Sequence, residues 1–311
     1  MAWLEISVPT KSDTIHSVAA ALTAGGFEEL VMEDQTEFES FLEENREYWD
    51  YIDETLQEKL QGLSCIKLYL DDADTAGLAK LQALLTALNL KMTVKPLPDT
   101  DWEESWKDNY PPQPVGNNLV VLPYWLADAD VDGRLPIILD PGLTFGTGAH
   151  PSTQMVMEAM ENTVRPGFSC LDLGSGSGIL SIAALRLGAK TAIGVDIDNK
   201  AEGIARENAA YNGFSAPEFT ALTGNVTADK PLMEALQNNH YDLVLVNIVA
   251  DVIIGLAPVL PRFLSPDSLL ICSGILDSRL ADVTAALEAA GLQITAVRAK
   301  EDWRCVCAGR K

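Results

Sequence analysis

Long apolar runs, CxxC cysteine pairs and clustered histidines are all missing from this 311-residue sequence. No segment approaches the roughly 18 to 20 consecutive apolar residues that span a bilayer, so no membrane helix is expected. The N-terminus, Met-Ala-Trp-Leu-Glu-Ile, has neither a basic leader nor an apolar stretch, so no secretory signal is expected. Cys65, Cys170, Cys272, Cys305 and Cys307 form no CxxC pair, and most lie in apolar runs that read as strands. Buried free thiols in a reducing cytoplasm are therefore expected, not disulfides or a zinc site. His16, His150 and His240 are too scattered to suggest a metal. Basic residues are scarce too, with 22 Lys and Arg against 45 Asp and Glu, a net charge of −23. Such a surface disfavours direct nucleic-acid binding.

The charge is uneven. Residues 1–110 carry 23 acidic and 8 basic side chains, net −15; the remainder carries 22 and 14, net −8. An acidic first third suits a basic partner, although solubility alone accounts for such a surface equally well. With 47% hydrophobic residues, the chain can bury a sizeable core and is long enough for two domains.

The pattern predicts the division. Leu4, Ile6 and Val8 alternate as a strand, and Ser12 or Asp13 can cap a helix carrying Ile15, Val18 and Leu22. A strand near Phe27–Met32, a helix over Tyr48–Leu60, a strand at Cys65–Leu70, a helix at Thr75–Leu88 and a strand at Lys91–Leu97 follow. Apart from the helix over 48–60, the order is β-α-β-β-α-β, a ferredoxin-like α+β domain over residues 1–97. Prolines and acids mark a linker at 98–115. From 116 to 311 the prediction is a larger α/β domain, with strands at Asn118–Pro123 and Pro136–Asp140 leading into strict strand–helix alternation from Phe168. Seven strands are expected there, in a Rossmann-like doubly wound sheet. The last two, Leu292–Ala299 and Trp303–Ala308, lack an intervening helix and make an antiparallel pair.

Four segments carry chemistry. In Cys170-Leu-Asp-Leu-Gly-Ser-Gly-Ser-Gly-Ile-Leu, a strand reaches Asp172 and then Gly174, Gly176 and Gly178 before an apolar helix. Glycines let a ligand lie against the main chain, and the helix N-terminus adds free N–H groups. The dinucleotide fingerprint is G-x-G-x-x-G, whereas this spacing is G-x-G-x-G with an acid two residues earlier. That acid suits the ammonium of S-adenosylmethionine, which has no pyrophosphate. Asp196 ends the next strand, 22 residues past Gly174, at the offset of an acid that holds ribose hydroxyls. Asp198 is the better cap for the following helix. Asn247 ends the strand Asp242–Asn247, where its amide can orient an amine towards a methyl group; alternatively it caps the helix near Ala250. The run Leu139–Thr153 contains Gly142, Gly146 and Gly148 with Phe145, Thr147 and His150, and reads as a substrate gate. Thr153 can reach a ligand from the start of its helix, or be an ordinary N-terminal helix residue.

These segments, FGTGAHPST, DLGSGSGIL, GVDID and NIVA, closely resemble the PrmA family, whose members methylate the eleventh protein of the large ribosomal subunit. The resemblance extends to DWEESWKDNY and the EDWRCVCAGR ending. It implies cofactor contacts from Thr153, Gly174, Asp196 and Asn247. It implies transfer from S-adenosylmethionine to lysine ε-amines and an N-terminal α-amine, with the first domain gripping a basic ribosomal protein. Ser152 stands where a Thr is common, and NIVA replaces the frequent NILA. Competing readings are a small-molecule N-methyltransferase, a nicotinamide oxidoreductase and a non-catalytic binding module.

Overall fold

The computed structural model describes residues 3–27, 30–34, 64–97, 110–141 and 148–310. The chain forms two compact units, Met1–Asn109 and Tyr110–Lys311.

In the first unit, strands β1 (Trp3–Pro9), β2 (Leu30–Asp34), β3 (Ser64–Asp71) and β4 (Thr93–Leu97) join helices α1 (Ile15–Ala24) and α2 (Thr75–Ala87). The sheet order is β2-β3-β1-β4, with every neighbouring pair antiparallel. That is the strand order of a ferredoxin-like unit. Alternation explains the packing: Ile6 and Val8 of β1 and Ile66 and Leu68 of β3 meet Ile15, Val18 and Leu22 of α1 and Leu81 and Leu85 of α2. Two details differ from the sequence pattern. Neither Ser12 nor Asp13 caps α1; its N-cap is Thr14, without a side-chain bond, because Ser12 Oγ donates to Asp34 Oδ1 at 2.7 Å. The second strand begins at Leu30, because Phe27 turns into the core instead. The helix expected over 48–60 lies outside the described residues.

The second unit holds two sheets. Strands β5 (Gln113–Val115), β6 (Leu119–Pro123) and β7 (Leu135–Leu139) form the smaller one, with β5–β6 antiparallel and β6–β7 parallel. The end of the expected linker, 98–115, is thus strand here. The larger sheet contains β8 (Ser169–Leu173), β9 (Thr191–Asp196), β10 (Phe219–Thr223), β11 (Tyr241–Asn247), β12 (Leu264–Leu276), β13 (Leu292–Lys300) and β14 (Trp303–Arg310). Its order is β10-β9-β8-β11-β12-β14-β13, parallel except that β14 runs against both neighbours.

Helices α3 (Pro151–Glu161), α4 (Ile179–Arg186) and α5 (Asn199–Tyr211) contribute to the apolar layer on one face. Helices α6 (Lys230–Gln237), α7 (Ala250–Leu256) and α8 (Leu280–Ala289) contribute to the other. A strand between two such layers must be apolar on both sides. In β11, Leu243 and Leu245 enter the first layer and Val244 and Val246 the second. All five cysteines are buried and free. Among the described residues, no helix is long and apolar enough to cross a membrane, and no cluster could hold a metal.

The smaller sheet is tied to α3 through one carboxylate. Glu161 Oε1 accepts from the Asn118 and Leu119 N–H groups at 2.7 and 3.1 Å, and Oε2 from Asn117 N–H at 2.9 Å. Glu161→Ala is expected to cost about 2 kcal/mol, since bonds to a charged acceptor are among the stronger ones. For a unit of this size the melting temperature should fall by roughly 4 to 8 °C, with Glu161→Gln intermediate. An unchanged melting temperature in the alanine variant would show that water replaces the carboxylate.

Candidate active site

The C-terminal tips of β9, β8 and β11 lie side by side, at the edge where open parallel sheets bind ligands. They bring together Asp196, the turn from Asp172 to Gly178, and Asn247. The turn is held from below: Gly174 N–H donates to the Val195 carbonyl at 2.8 Å, and Gly178 N–H to the Ser175 carbonyl at 2.8 Å. Gly174, Gly176 and Gly178 have φ of 76°, 49° and 79°, in the left-handed region. Gly178 is the N-cap of α4.

Asp196 is aimed by backbone. Its Oδ2 accepts from Gly176 N–H at 2.8 Å and its Oδ1 from Asp198 N–H at 3.0 Å. The carboxylate is half-buried and keeps acceptor capacity for a pair of hydroxyls. Asp198 caps α5, accepting from Lys200 N–H at 2.9 Å. Ile197 between them is 68% exposed, an apolar surface beside the acid that the motif alone did not mark.

Asp172 differs from Asp196. It is fully buried, and its Oδ2 accepts from Ser181 N–H at 3.1 Å and Ser181 Oγ at 2.8 Å. Its Oδ1 is buried without a hydrogen-bond partner. Burial pushes its pKa up to about 7; the Ser181 bonds oppose this and the nearby Asp196 adds to it. A buried carboxyl oxygen without a donor is expensive, and a cation or donor from a ligand would complete it.

Asn247 does not cap α7, whose N-cap is Val249. Its Nδ2 donates to Thr153 Oγ1 at 3.1 Å, bridging 94 positions of sequence. With the donor side used on the buried Thr153, the amide has its oxygen to offer an amine. The next residue, Ile248, is gripped on two sides. A Cβ on Gly174 would strike Ile248 Cγ2, and one on Gly274 would come within 2.5 Å of the Ile248 carbonyl oxygen. Gly274 belongs to no motif read from the sequence, although its φ of 81° requires glycine as firmly as the turn does.

His150, expected in the gate, is the N-cap of α3. Its Nδ1 accepts from Ser152 N–H at 3.2 Å and lies 2.7 Å from Ser152 Oγ. Its ring meets Trp303 edge-on at 4.6 Å. Burial lowers its pKa, opposed by Glu301, which favours the neutral ring that an accepting nitrogen needs. Ser273 Oγ donates to the Ser152 carbonyl at 3.1 Å, tying the start of α3 to β12. Phe145 and Thr147 lie outside the described residues.

The unpartnered Asp172 oxygen, the half-buried Asp196 carboxylate and the close backbone of the turn are compatible with a cationic nucleoside such as S-adenosylmethionine. Comparison with known proteins agrees. A profile described as "Ribosomal protein L11 methyltransferase (PrmA)" matches residues 2–311. A ribosomal protein L11 methyltransferase of Alkaliphilus metalliredigens is 36% identical, over 98% of this chain and 97% of that protein. One of Heliobacterium modesticaldum is 35% identical over 100% of this chain and 98% of its own. The crystal structure of a ribosomal protein L11 methylase from Lactobacillus delbrueckii subsp. bulgaricus superposes with a TM-score of 0.58 at 32% identity, covering 65% of this chain and 100% of that one. The chain belongs to the ribosomal protein L11 methyltransferase (PrmA) family, whose members are S-adenosylmethionine-dependent methyltransferases.

Proposed function

We propose that this protein transfers methyl groups to lysine ε-amines and the N-terminal α-amine of ribosomal protein L11 in the cytoplasm. The observation that carries the reading is the Asn247 amide, fixed by Thr153 and seated beside the glycine turn, with its oxygen available to an incoming amine. The relatives' names supply the substrate. The net charge of −15 over residues 1–110 suits a basic ribosomal protein gripped by the first domain.

In this reading Asp196 holds the ribose hydroxyls, Asp172 faces the ammonium of the methionine part, and Gly174, Gly176 and Gly178 give the cofactor its close backbone. S-adenosylmethionine supplies a methyl group on a sulfonium, a leaving group that departs neutral. The amine must first shed its proton, to solvent or a nearby acceptor, because a protonated lysine has no lone pair. Asn247 would accept one of the remaining N–H groups and hold the amine lone pair towards the cofactor. The cofactor would supply the methyl group, its sulfur leaving as a neutral thioether while the positive charge passes to the new ammonium. Positioning then provides most of the acceleration.

Incubation of undermethylated large-subunit ribosomal proteins with enzyme and cofactor should add 14 Da increments to L11 by mass spectrometry. Labelling of no protein, with turnover of a small amine instead, would overturn the substrate. Asp196→Ala should weaken cofactor binding by roughly 100-fold in calorimetry, because two charge-assisted hydrogen bonds are lost. Asn247→Ala should slow transfer much more than it weakens that binding; equal losses would make Asn247 a cofactor ligand only.

Asp172 adds a pH signature. Its raised pKa means that the free folded protein keeps a proton there which the unfolded chain loses, so stability falls as pH rises from about 4 to 7. An ammonium against Oδ1 favours the ionised form. Cofactor binding below pH 7 should therefore release a proton, detectable by calorimetry in buffers of different ionisation enthalpy. Asp172→Asn should release less; an identical proton count would remove Asp172 from the site.

A further inference from the structure

Helix α5 carries Asn208 in its last turn and is C-capped by Asn212 four residues on; both asparagines are buried. Asparagine is a poor interior helix residue because its amide competes for backbone partners. Here both amides reach backbone of other segments. Asn212 Oδ1 accepts from Ile138 N–H at 3.0 Å, and its Nδ2 donates to the Ile138 carbonyl at 2.7 Å. It thus pairs with β7 along its free edge, opposite β6.

Asn208 makes a different connection. Its Oδ1 accepts from Asp140 N–H at 2.9 Å, at the residue just beyond β7. Its Nδ2 donates to the Ser177 carbonyl at 2.8 Å, inside the glycine turn. The orientation of this amide is forced, because one neighbour is an N–H and the other a C=O. The far end of the same gate sequence meets the same place. Gly148 packs so closely that a Cβ there would lie 2.9 Å from Val121 Cγ2 and 3.1 Å from Ile179 Cδ1. Asp140 is therefore linked to Ser177 through Asn208, while Gly148 packs against the side chains of Val121 and Ile179.

We propose that Asn208 is a positioning residue for methyl transfer: one amide sets the spacing between the cofactor turn and the point where the chain leaves β7. The proposal rests on residues 174–178 being the cofactor turn. The Ser177–Gly178 peptide is held at its N–H by the Ser175 carbonyl, within the turn itself, and at its C=O by Asn208, the bond that anchors it to helix α5. Loss of the Asn208 bond removes that outside anchor and lets the turn spread over more conformations, a cost in preorganisation. Asn208 acts through Ser177 and Asp140.

The test compares Asn208→Leu, Asn208→Ala and Asn212→Ala for melting temperature, cofactor affinity by calorimetry and single-turnover transfer to L11, all well below the melting point. Both Asn208 variants are expected to weaken cofactor binding about tenfold, the usual consequence of one lost buried hydrogen bond, and to slow transfer by the saturated enzyme. The smaller alanine keeps the test open if the leucine variant does not fold. Asn212→Ala, which removes the bonds to Ile138 and to the Asn208 backbone carbonyl but none to Asp140 or the turn, should lower the melting temperature and leave cofactor affinity within about twofold. Wild-type affinity and turnover in the folded Asn208 variants would overturn the proposal, as would an equal loss of affinity in Asn212→Ala. Asp196→Ala separates the two levels. If it loses affinity while the Asn208 variants do not, only the positioning role falls; if it binds as wild type, the placement of the cofactor falls with it.

Discussion

Ile248 is held between two backbones that no side chain but hydrogen could line. Gly174 closes on its Cγ2 from the β8 turn and Gly274 on its carbonyl from β12, while Ile248 N–H donates to the Ser273 carbonyl at 3.2 Å. Asn247 precedes this clamp by one residue, so its Cα can hardly move relative to the glycine turn. The remaining freedom is that of the side chain, which Thr153 removes through Nδ2. The clamp rests on sheet register: β11 pairs with β8 on one side and β12 on the other, which brings Asn247 level with Ser273. A change in that register would move the amide and the turn apart together.

From this clamp the support spreads through buried polar contacts. Thr153 sits at the start of α3, whose first turn is fixed by His150, by Trp303 against that imidazole, and by Ser273 on the Ser152 carbonyl. The other end of α3 carries Glu161, which holds the turn between β5 and β6. The β6–β7 pair then leads to Asp140, which Asn208 returns to the glycine turn. Sheet tips, helix α3 and the smaller sheet form a closed circuit of hydrogen bonds around the site.

How much of this was legible in the sequence depended on the range of the interaction. The order of strands and helices in both units could be read, because two-sided burial writes continuous apolar runs such as Leu243–Val246 and one-sided burial writes alternation such as Ile6 and Val8. Gly174, Asp196 and Asn247 stood out because each terminates such a run. What could not be read was set by distant partners. Ser12 resembled a helix cap until Asp34 claimed its hydroxyl. Phe27 looked like strand, yet the first core pulled it inward. Asn208, Asn212 and Gly274 belong to no periodic pattern, since each answers to backbone elsewhere in the chain. His150 was noticed for its motif, but its neighbour Trp303 lies more than 150 residues away.

The two acids of the site show how a small change in surroundings divides one chemical group between two tasks. Asp196 receives a backbone N–H on each oxygen and stays half-exposed, with acceptor capacity left for neutral hydroxyls. Asp172 is sealed, with Ser181 serving only one oxygen, and the charge on Asp196 makes ionisation harder still. A cation against the other oxygen offsets both penalties, so Asp172 suits a positively charged ligand and offers little to a neutral one. A phosphate-bearing dinucleotide would place negative charge beside this acid and gain nothing from it. The G-x-G-x-G spacing and the buried acid two residues before it therefore select the same kind of ligand, one through the shape of the turn and the other through its charge.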